Sequence, residues 1–142
     1  MQKYPARFDP ADEGGYTVTF RDIPEAITQG DDLEEAQSMA RDALVTAMEF
    51  YFESGRTVPS PSKPAKGEHL VELPASVAVK VALLNARLAT GARPADVARA
   101  IGVKPQEMTR VFDFSHATKI DTVAAALAAM GYELELNVRP AK

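Results

Sequence analysis

The stretch YPARFDPADEGGYTVTFRDIPEAITQG, residues 4–30, decides how the chain begins to fold. In YTVTF, the residues Tyr16, Val18 and Phe20 alternate with two threonines, which is the period of a strand with one apolar face. The preceding connection DPADEGG holds proline, aspartate and two glycines, the residue types of a hairpin loop. The sequence therefore predicts a hairpin of YPARF and YTVTF, followed by a third short strand at AITQG.

Two acidic residues mark the change from strands to a helix. Asp32 is placed to cap the helix, and Glu35 follows three residues later, which is the spacing of a capping box. From Leu33 to Tyr51 apolar residues recur at helical spacing, and Gly55 is a suitable C-terminal stop. Such a helix can cover one face of a small antiparallel sheet, so we predict an α+β fold class.

The composition excludes several classes of protein. The chain has 142 residues and no cysteine, which excludes disulfide scaffolds and thiolate metal sites. The N-terminal residues lack the apolar core of a signal peptide, and no run is apolar enough to span a membrane. We therefore expect a cytoplasmic protein that does not attach to a membrane.

The charge is distributed unevenly, although the formal net charge is only −4. Residues 1–73 hold 7 basic and 14 acidic side chains, whereas residues 74–142 hold 9 and 6. An acidic half and a mildly basic half indicate two different partners.

A proline-rich segment separates the two halves. TVPSPSKPAKGEH, residues 57–69, is typical of a loop or linker, because proline lacks an N–H donor and restricts the residue before it. The overlapping HLVEL could be a strand that returns to the first sheet or packs beside a second domain. We predict an αβ domain at 1–63, a linker or strand at 64–73, and a second domain at 74–142.

The segment RPADVARAIGVKPQEMTRVF, residues 93–112, has the features of a helix-turn-helix. Ala98 supplies a small residue where the second helix would cross, and Gly102 supplies the turn. An apolar set would pack the two helices together: Val97, Ile101, Val103, Met108 and Val111. Two interpretations stay open, a DNA-binding unit and a helical corner without DNA contact.

In the DNA-binding interpretation the second of these helices lies in the major groove and meets base edges. The outward-facing candidates for that role are Lys104, Gln106, Glu107, Thr109 and Arg110. The flanking candidates for phosphate contacts are Arg99, His116, Thr118 and Lys119. The net charge of residues 74–142 is only +3, so a single copy would bind DNA weakly. We therefore expect a dimer, which doubles the phosphate contacts.

The tail ELELNV, residues 133–138, alternates apolar and polar residues and predicts a C-terminal strand. Its own helical domain offers no obvious neighbour for such a strand. Pairing with the same segment of a second copy would make it a dimer contact.

The aspartates of the acidic half permit a metal-nuclease interpretation, which needs converging carboxylates. Local structure accounts for them instead: Asp12 lies in a hairpin loop, Asp22 precedes a turn at Pro24, and Asp32 caps a helix. No Ser–His–Asp set, histidine pair or phosphate loop is present in the sequence, so we predict no catalytic residue, metal or cofactor. An acidic surface suits a basic protein partner. The candidate contacts are Asp9, Asp22, Glu25, Asp31 and Asp32.

Several short motifs carry a family resemblance. They are the Gly-Gly-Tyr hairpin, the Asp-Ile-Pro after the second strand, the Thr-x-Gly-Asp turn, the Glu-Ala of LEEAQ and the Pro-x-Pro-Ser after the helix. In these motifs the chain resembles the HicB family of antitoxins. Its C-terminal part is similar to the Cro/repressor-type helix-turn-helix of one branch of that family, and it departs from the branch that carries a ribbon-helix-helix.

The resemblance implies a partial RNase H-like αβ domain without nuclease activity, followed by the helix-turn-helix domain. The partner would be a small basic HicA-type toxin, a ribonuclease that cleaves mRNA. The C-terminal domain would bind the operator of its own operon and repress it, as a homodimer or higher oligomer. Two alternatives remain: a stand-alone DNA-binding regulator whose first domain senses a small ligand, and an RNase H-like metal-dependent nuclease.

Overall fold

The computed structural model describes residues 2–141, so residues 1 and 142, the outer ends of the predicted domains, lie outside the described residues. The described elements, in chain order, are β1 (Lys3–Pro10), β2 (Tyr16–Phe20), β3 (Ile27–Gly30), α1 (Leu33–Ser54), β4 (Glu68–Glu72), α2 (Ala75–Thr90), α3 (Pro94–Ile101), α4 (Pro105–Val111) and α5 (Ile120–Ala129). The predicted α+β class is confirmed.

The four strands form one sheet in the order β3-β2-β1-β4, and every neighbouring pair is antiparallel. Val18 lies opposite Phe8 on one side and Thr28 on the other, and Tyr4 lies opposite Val71. β2 has the bounds predicted from its alternation, whereas β1 extends beyond YPARF at both ends. The segment HLVEL returns to the first sheet, where β4 pairs with β1.

The core of this part of the chain lies between the sheet and α1. The buried apolar side chains include Tyr4, Ala6, Val18, Phe20, Val71, Ala36, Ala40, Leu44, Met48 and Tyr51. The hydroxyl of Tyr4 donates a 2.7 Å hydrogen bond to the carbonyl of Pro59 and so ties the loop after α1 to the sheet. Burial, assisted by the nearby charge of Asp22, raises the pKa of Tyr4 to about 12, so the hydroxyl stays a donor.

Both ends of α1 follow the predicted chemistry. The backbone N–H of Glu35 donates to the carboxylate of Asp32 at 2.8 Å, and the carboxylate of Glu35 accepts from the backbone N–H of Asp31 at 3.0 Å. Gly55 ends the helix in the left-handed conformation with φ +62°. The start of α1 is thereby fixed directly after β3.

Two glycines allow the hairpin, β3 and the start of α1 to approach closely. Gly15 has φ +74°, and a Cβ there would lie 3.1 Å from the Cα of Asp31 and overlap the carbonyl oxygen of Gly30. A Cβ at Gly30 would lie 2.6 Å from the Cα of Ala36. The glycines of the Gly-Gly-Tyr and Thr-x-Gly-Asp motifs therefore have a packing reason to be glycine.

The chain divides into two compact units, one that ends at Val81 and one that begins at Ala82. β4 lies in the range predicted as linker or strand, yet its pairing with β1 makes it part of the first unit. α2 begins in the first unit and ends in the second.

In the second unit α3 packs against α4 and α5. The buried side chains there include Val97, Ala98, Met108, Val111, Val123, Ala126 and Leu127. Gly102 ends α3 with φ +74°, and the backbone N–H of Val103 donates to the carbonyl of Ala98 at 3.0 Å. A tight turn at Gly102 thus joins two short helices that share an apolar contact.

The predicted C-terminal strand at 133–138 is wrong, because the described residues 132–141 lie outside any helix or strand. A strand requires a neighbour to satisfy its backbone hydrogen bonds, and no strand of the described chain pairs with the tail. The apolar residues that suggested the strand are left in solvent, with Leu136 76% and Val138 95% exposed.

Candidate functional site

The predicted base-contacting residues lie on α4 and at its N-terminal cap. Lys104 is the N-cap residue, with an extended backbone, and Gln106 and Glu107 occupy the first turn. Thr109 and Arg110 follow, and all five of these residues are exposed. The opposite side of α4 is buried. α4 is therefore amphipathic, with its apolar side against α3 and its polar side in solvent.

The side chain of Thr109 forms a hydrogen bond within α4 itself. The hydroxyl of Thr109 donates to the carbonyl of Pro105 at 3.1 Å, four residues earlier. Thr109 is nevertheless exposed. The predicted role of Thr109 is therefore compatible with contact to a base edge or to a thymine methyl group.

The predicted phosphate-contacting residues lie on the flanks of α4. Arg99 on α3 forms a 3.0 Å ion pair with Asp96, which also accepts from Arg93 at 3.0 Å. The hydrogen bond from Arg93, with Arg99 nearby, lowers the pKa of Asp96. Because this exposed cluster is weak in water, a phosphate can compete with Asp96 for both arginines.

The remaining flanking residues lie between α4 and α5. His116 is exposed, and its Nε2 lies 3.6 Å from the carboxylate of Asp113. Lys119 is the N-cap residue of α5, and Thr118 before it is half-buried. The structure thus places the predicted DNA contacts on three consecutive parts of the second unit.

Two of the residues predicted to contact the toxin have structural roles in the first unit. The carboxylate of Asp22 accepts from both the backbone N–H and the hydroxyl of Ser62, each at 2.7 Å. The carboxylate of Asp32 caps α1. Their charges hold the chain in place, so they are weak candidates for direct contacts with a partner.

Glu25 belongs to a small cluster at the C-terminal end of α1. It accepts from the hydroxyl of Tyr51 at 2.7 Å and from Arg56 at 3.1 Å, and the Arg56 guanidinium lies 4.4 Å from the centre of the Tyr51 ring. Burial and the hydrogen bond to Glu25 raise the pKa of Tyr51 to about 12. Burial alone would raise the pKa of Glu25, but hydrogen bonds from Tyr51, its own backbone and Arg56 outweigh burial and lower that pKa.

The other two candidates are exposed. Asp9 on β1 pairs with Arg7 at 3.3 Å, and Asp31 lies between β3 and α1. Of the five acidic candidates, Asp9 lies on β1, Asp22 and Glu25 lie between β2 and β3, and Asp31 and Asp32 lie between β3 and α1. Among the described residues, no group of three or more histidine and carboxylate side chains forms a metal-binding cluster. None of the helices described is long and apolar enough to cross a membrane.

Sequence reasoning missed a groove between β3 and α1, with a volume of about 230 Å³. The groove is lined by Glu25, Ile27, Thr28, Met39, Asp42, Ala43, Thr46, Ala47 and Phe50. The lining residues on α1 recur at helical spacing: Met39, Ala43, Thr46 and Phe50. They form a second stripe beside the core-facing stripe of the same helix. That spacing was present in the sequence and could have indicated a second contact face.

Comparison with known proteins assigns the family. Residues 3–82 match the sequence model of the HicB-like antitoxin of bacterial toxin-antitoxin systems. The chain belongs to the HicB-like antitoxin family. The matched residues 3–82 coincide with the first compact unit.

Relatives from several bacteria extend the similarity into the second unit. The chain is 55% identical over 134 residues to "Antitoxin HicB 2" of Photorhabdus laumondii, which covers 94% of each chain. It is 51% identical to "Antitoxin HicB" of Escherichia coli, over 94% of this chain and 97% of the relative. Identity to "Antitoxin HicB" of Pseudomonas fluorescens is 36%, over 90% and 88%. The protein is thus an antitoxin rather than an enzyme, as its sequence predicted.

Proposed function

We propose that this antitoxin binds and neutralises a HicA-type toxin that cleaves mRNA, and that it represses its own operon by binding operator DNA. The observation that carries the proposal is the family match over 3–82, together with relatives named as antitoxins along both units. In the proposal the first unit binds the toxin and the second binds DNA. Because the toxin acts on mRNA, the complex would work in the cytoplasm.

Charge supports the assignment of the toxin to the first unit. A ribonuclease that binds RNA needs a basic surface. Residues 1–73 carry 14 acidic and 7 basic side chains, so their net charge is opposite to that of such a surface. Opposite charges speed association and select the partner. A partial RNase H-like fold of this unit is part of the proposal, and its antiparallel sheet and the long helix α1 support it.

The arrangement of α3 and α4 supports the assignment of DNA to the second unit. Ala98 is buried between the helices, Gly102 makes the tight turn, and exposed Gln106 and Arg110 lie on α4. Gln can bond adenine and Arg can bond guanine in the major groove. These are the features that a helix-turn-helix needs to present α4 to the groove.

An oligomer is part of the proposal, because one copy offers few phosphate contacts. The tail exposes Leu136 and Val138, which would be covered if two copies met there. A homodimer would also place two α4 helices for two half-sites of a symmetric operator.

Two binding assays with the full chain test the proposal. Purified toxin should cleave an mRNA substrate, and an equimolar amount of this protein should stop the cleavage. A DNA fragment from upstream of its own gene should be retarded in a gel, whereas a scrambled fragment of equal length should not. Undiminished cleavage would contradict the toxin half, and equal retardation of both fragments would contradict the operator half.

A further inference from the structure

The groove between β3 and α1 gathers large apolar side chains that the fold leaves in solvent. Ile27 on β3 is 65% exposed, and Phe50 and Met39 on α1 are 53% and 39% exposed. All three line the same groove. Single exposed apolar residues are ordinary on protein surfaces, but a group of large ones around one depression marks an interaction site.

The position of the groove is also suited to a protein partner. β3 is an edge strand that pairs with β2 on one side, and α1 flanks the groove on the other. Ala43 and Thr46 lie between Met39 and Phe50 along α1 and also line the groove, so small side chains separate the two larger ones. A partner can therefore insert one or two apolar side chains between the larger ones.

The charges around the groove indicate the chemistry of that partner. Glu25 and Asp42 lie in the groove lining itself. α1 carries five acidic side chains and one basic side chain, Arg41. An apolar centre with an acidic rim matches an apolar side chain that is flanked by lysine or arginine.

The opposite edge of the sheet has a different character. A groove of about 290 Å³ beside β4 is lined by Phe8, Gln37, Arg41, His69, Leu70, Val71 and Glu72. Here the basic side chain of α1 and a histidine lie in the lining. A basic surface would meet Arg41 as well as Glu72 there, whereas the lining described at the β3 edge holds the carboxylates of Glu25 and Asp42 and no basic side chain.

We propose that the groove between β3 and α1 is where the toxin docks, through an apolar side chain surrounded by basic residues. This inference rests on the proposed function, since it locates the toxin-binding surface of that same unit. In this proposal the apolar groove, rather than the five acidic candidates, forms the centre of the interface with the toxin. Asp22 and Asp32 hold the fold, while Ile27, Met39 and Phe50 supply the apolar contact and Asp42 the attraction.

Matched substitutions on the two edges test the location. The groove variants are Ile27→Asp and Asp42→Lys, and the control is Leu70→Asp on β4, where Leu70 is 48% exposed. Titration calorimetry with purified toxin should show each groove variant binding about tenfold or more weakly, and the control within about twofold of the wild type. Wild-type affinity in both groove variants, or a loss confined to the control, would overturn the proposal.

A second measurement needs no variant and covers the case in which a substitution unfolds the protein. Hydrogen exchange of the wild-type chain, free and toxin-bound, should show slowed exchange at residues 27–30 and 39–50. Slowed exchange confined to 68–72 would overturn the proposed location but leave the antitoxin function standing. A wild-type chain that does not bind the toxin at all would overturn both.

Discussion

The carboxylate of Asp22 holds Ser62 through two hydrogen bonds of 2.7 Å, one from the backbone amide and one from the hydroxyl. The preceding residue, Arg21, donates to the carbonyl of Lys63 at 3.0 Å and to the carboxylate of Glu68 at 2.7 Å. Two adjacent side chains after β2 therefore fix the proline-rich loop that runs from α1 to β4. A segment whose sequence predicts a loop or linker is therefore tied to the sheet at its centre.

The first prediction is that Asp22→Ala destabilises the protein. Loss of both charge-assisted hydrogen bonds to Ser62 should lower the free energy of unfolding by about 1.5–3 kcal/mol. Urea denaturation measures this, and Asp9→Ala is the control because Asp9 is exposed on β1. Wild-type stability combined with a loss of toxin binding would instead make Asp22 a direct contact.

The second prediction concerns Tyr51→Phe, which removes the hydrogen bond to Glu25. At pH 7 the variant should be about 1 kcal/mol less stable, because the carboxylate of Glu25 loses a hydrogen-bond donor. The pKa of Glu25 is lower in the folded state than in the unfolded state. The stability that its ionised carboxylate contributes is therefore present above the unfolded-state pKa, and it is lost as the pH falls through the folded-state pKa.

The difference between wild type and Tyr51→Phe should therefore shrink when denaturation is repeated at about pH 3, where carboxyl groups protonate. Tyr16→Phe, on β2, is the control for removal of a phenolic hydroxyl. A difference that stays constant down to that pH would show that the charge of Glu25 is not involved.

The third prediction is that Gly30→Ala costs about 1–3 kcal/mol, because the added methyl group would press on the backbone of Ala36. Alanine usually stabilises a strand interior relative to glycine, so a loss of stability would indicate the close approach of the Gly30 backbone to Ala36. The matched variant is Gln29→Ala at the neighbouring exposed position, which should change stability little. Thermal melting of both variants checks the difference, and a stabilised Gly30→Ala would mean that β3 and α1 are farther apart.

The fourth prediction tests the recognition role of α4. Arg110→Ala should weaken operator binding by about 1–3 kcal/mol and relax the preference at one base pair. Fluorescence anisotropy at one fixed salt concentration measures this, since affinity for DNA depends strongly on salt. The control variant Arg41→Ala removes the same charge from the first unit instead and should bind the operator normally. Wild-type operator affinity in Arg110→Ala would mean that α4 does not read the bases.

The fifth prediction is that removal of residues 133–142 yields monomers. The exposed Leu136 and Val138 have no apolar contact that would keep them from solvent in a single copy, so we expect a second copy to cover them. Light scattering should show the full chain as a dimer or larger and the shortened chain as a monomer. A shortened chain of unchanged oligomeric state would place the contact between copies elsewhere.

Local signals in the sequence were sufficient for much of the fold. The alternation of YTVTF gave β2, the Asp32–Glu35 spacing gave the start of α1, and Gly55 and Gly102 gave two helix ends. These features depend on residues close together in the chain. Local signals do not determine the course of β4, because its pairing with β1 joins residues more than sixty positions apart.

The errors and omissions have physical causes as well. The pattern of ELELNV predicts which side chains would share a strand face, but a strand also needs a neighbour that the pattern does not contain. The charges of Asp22 and Glu25 predict contacts with a basic partner, but their partners within the fold, Ser62 and Tyr51, are distant in sequence. The groove at Ile27 depends on where β3 lies beside α1, which only the assembled sheet defines.

The most direct test of the antitoxin account is co-expression of this protein with the small open reading frame beside its gene, followed by purification through a tag on this chain. The account predicts a stoichiometric complex with a small basic protein that arrests growth when it is expressed alone and does not when this chain is present. A harmless neighbour that fails to copurify would contradict the account.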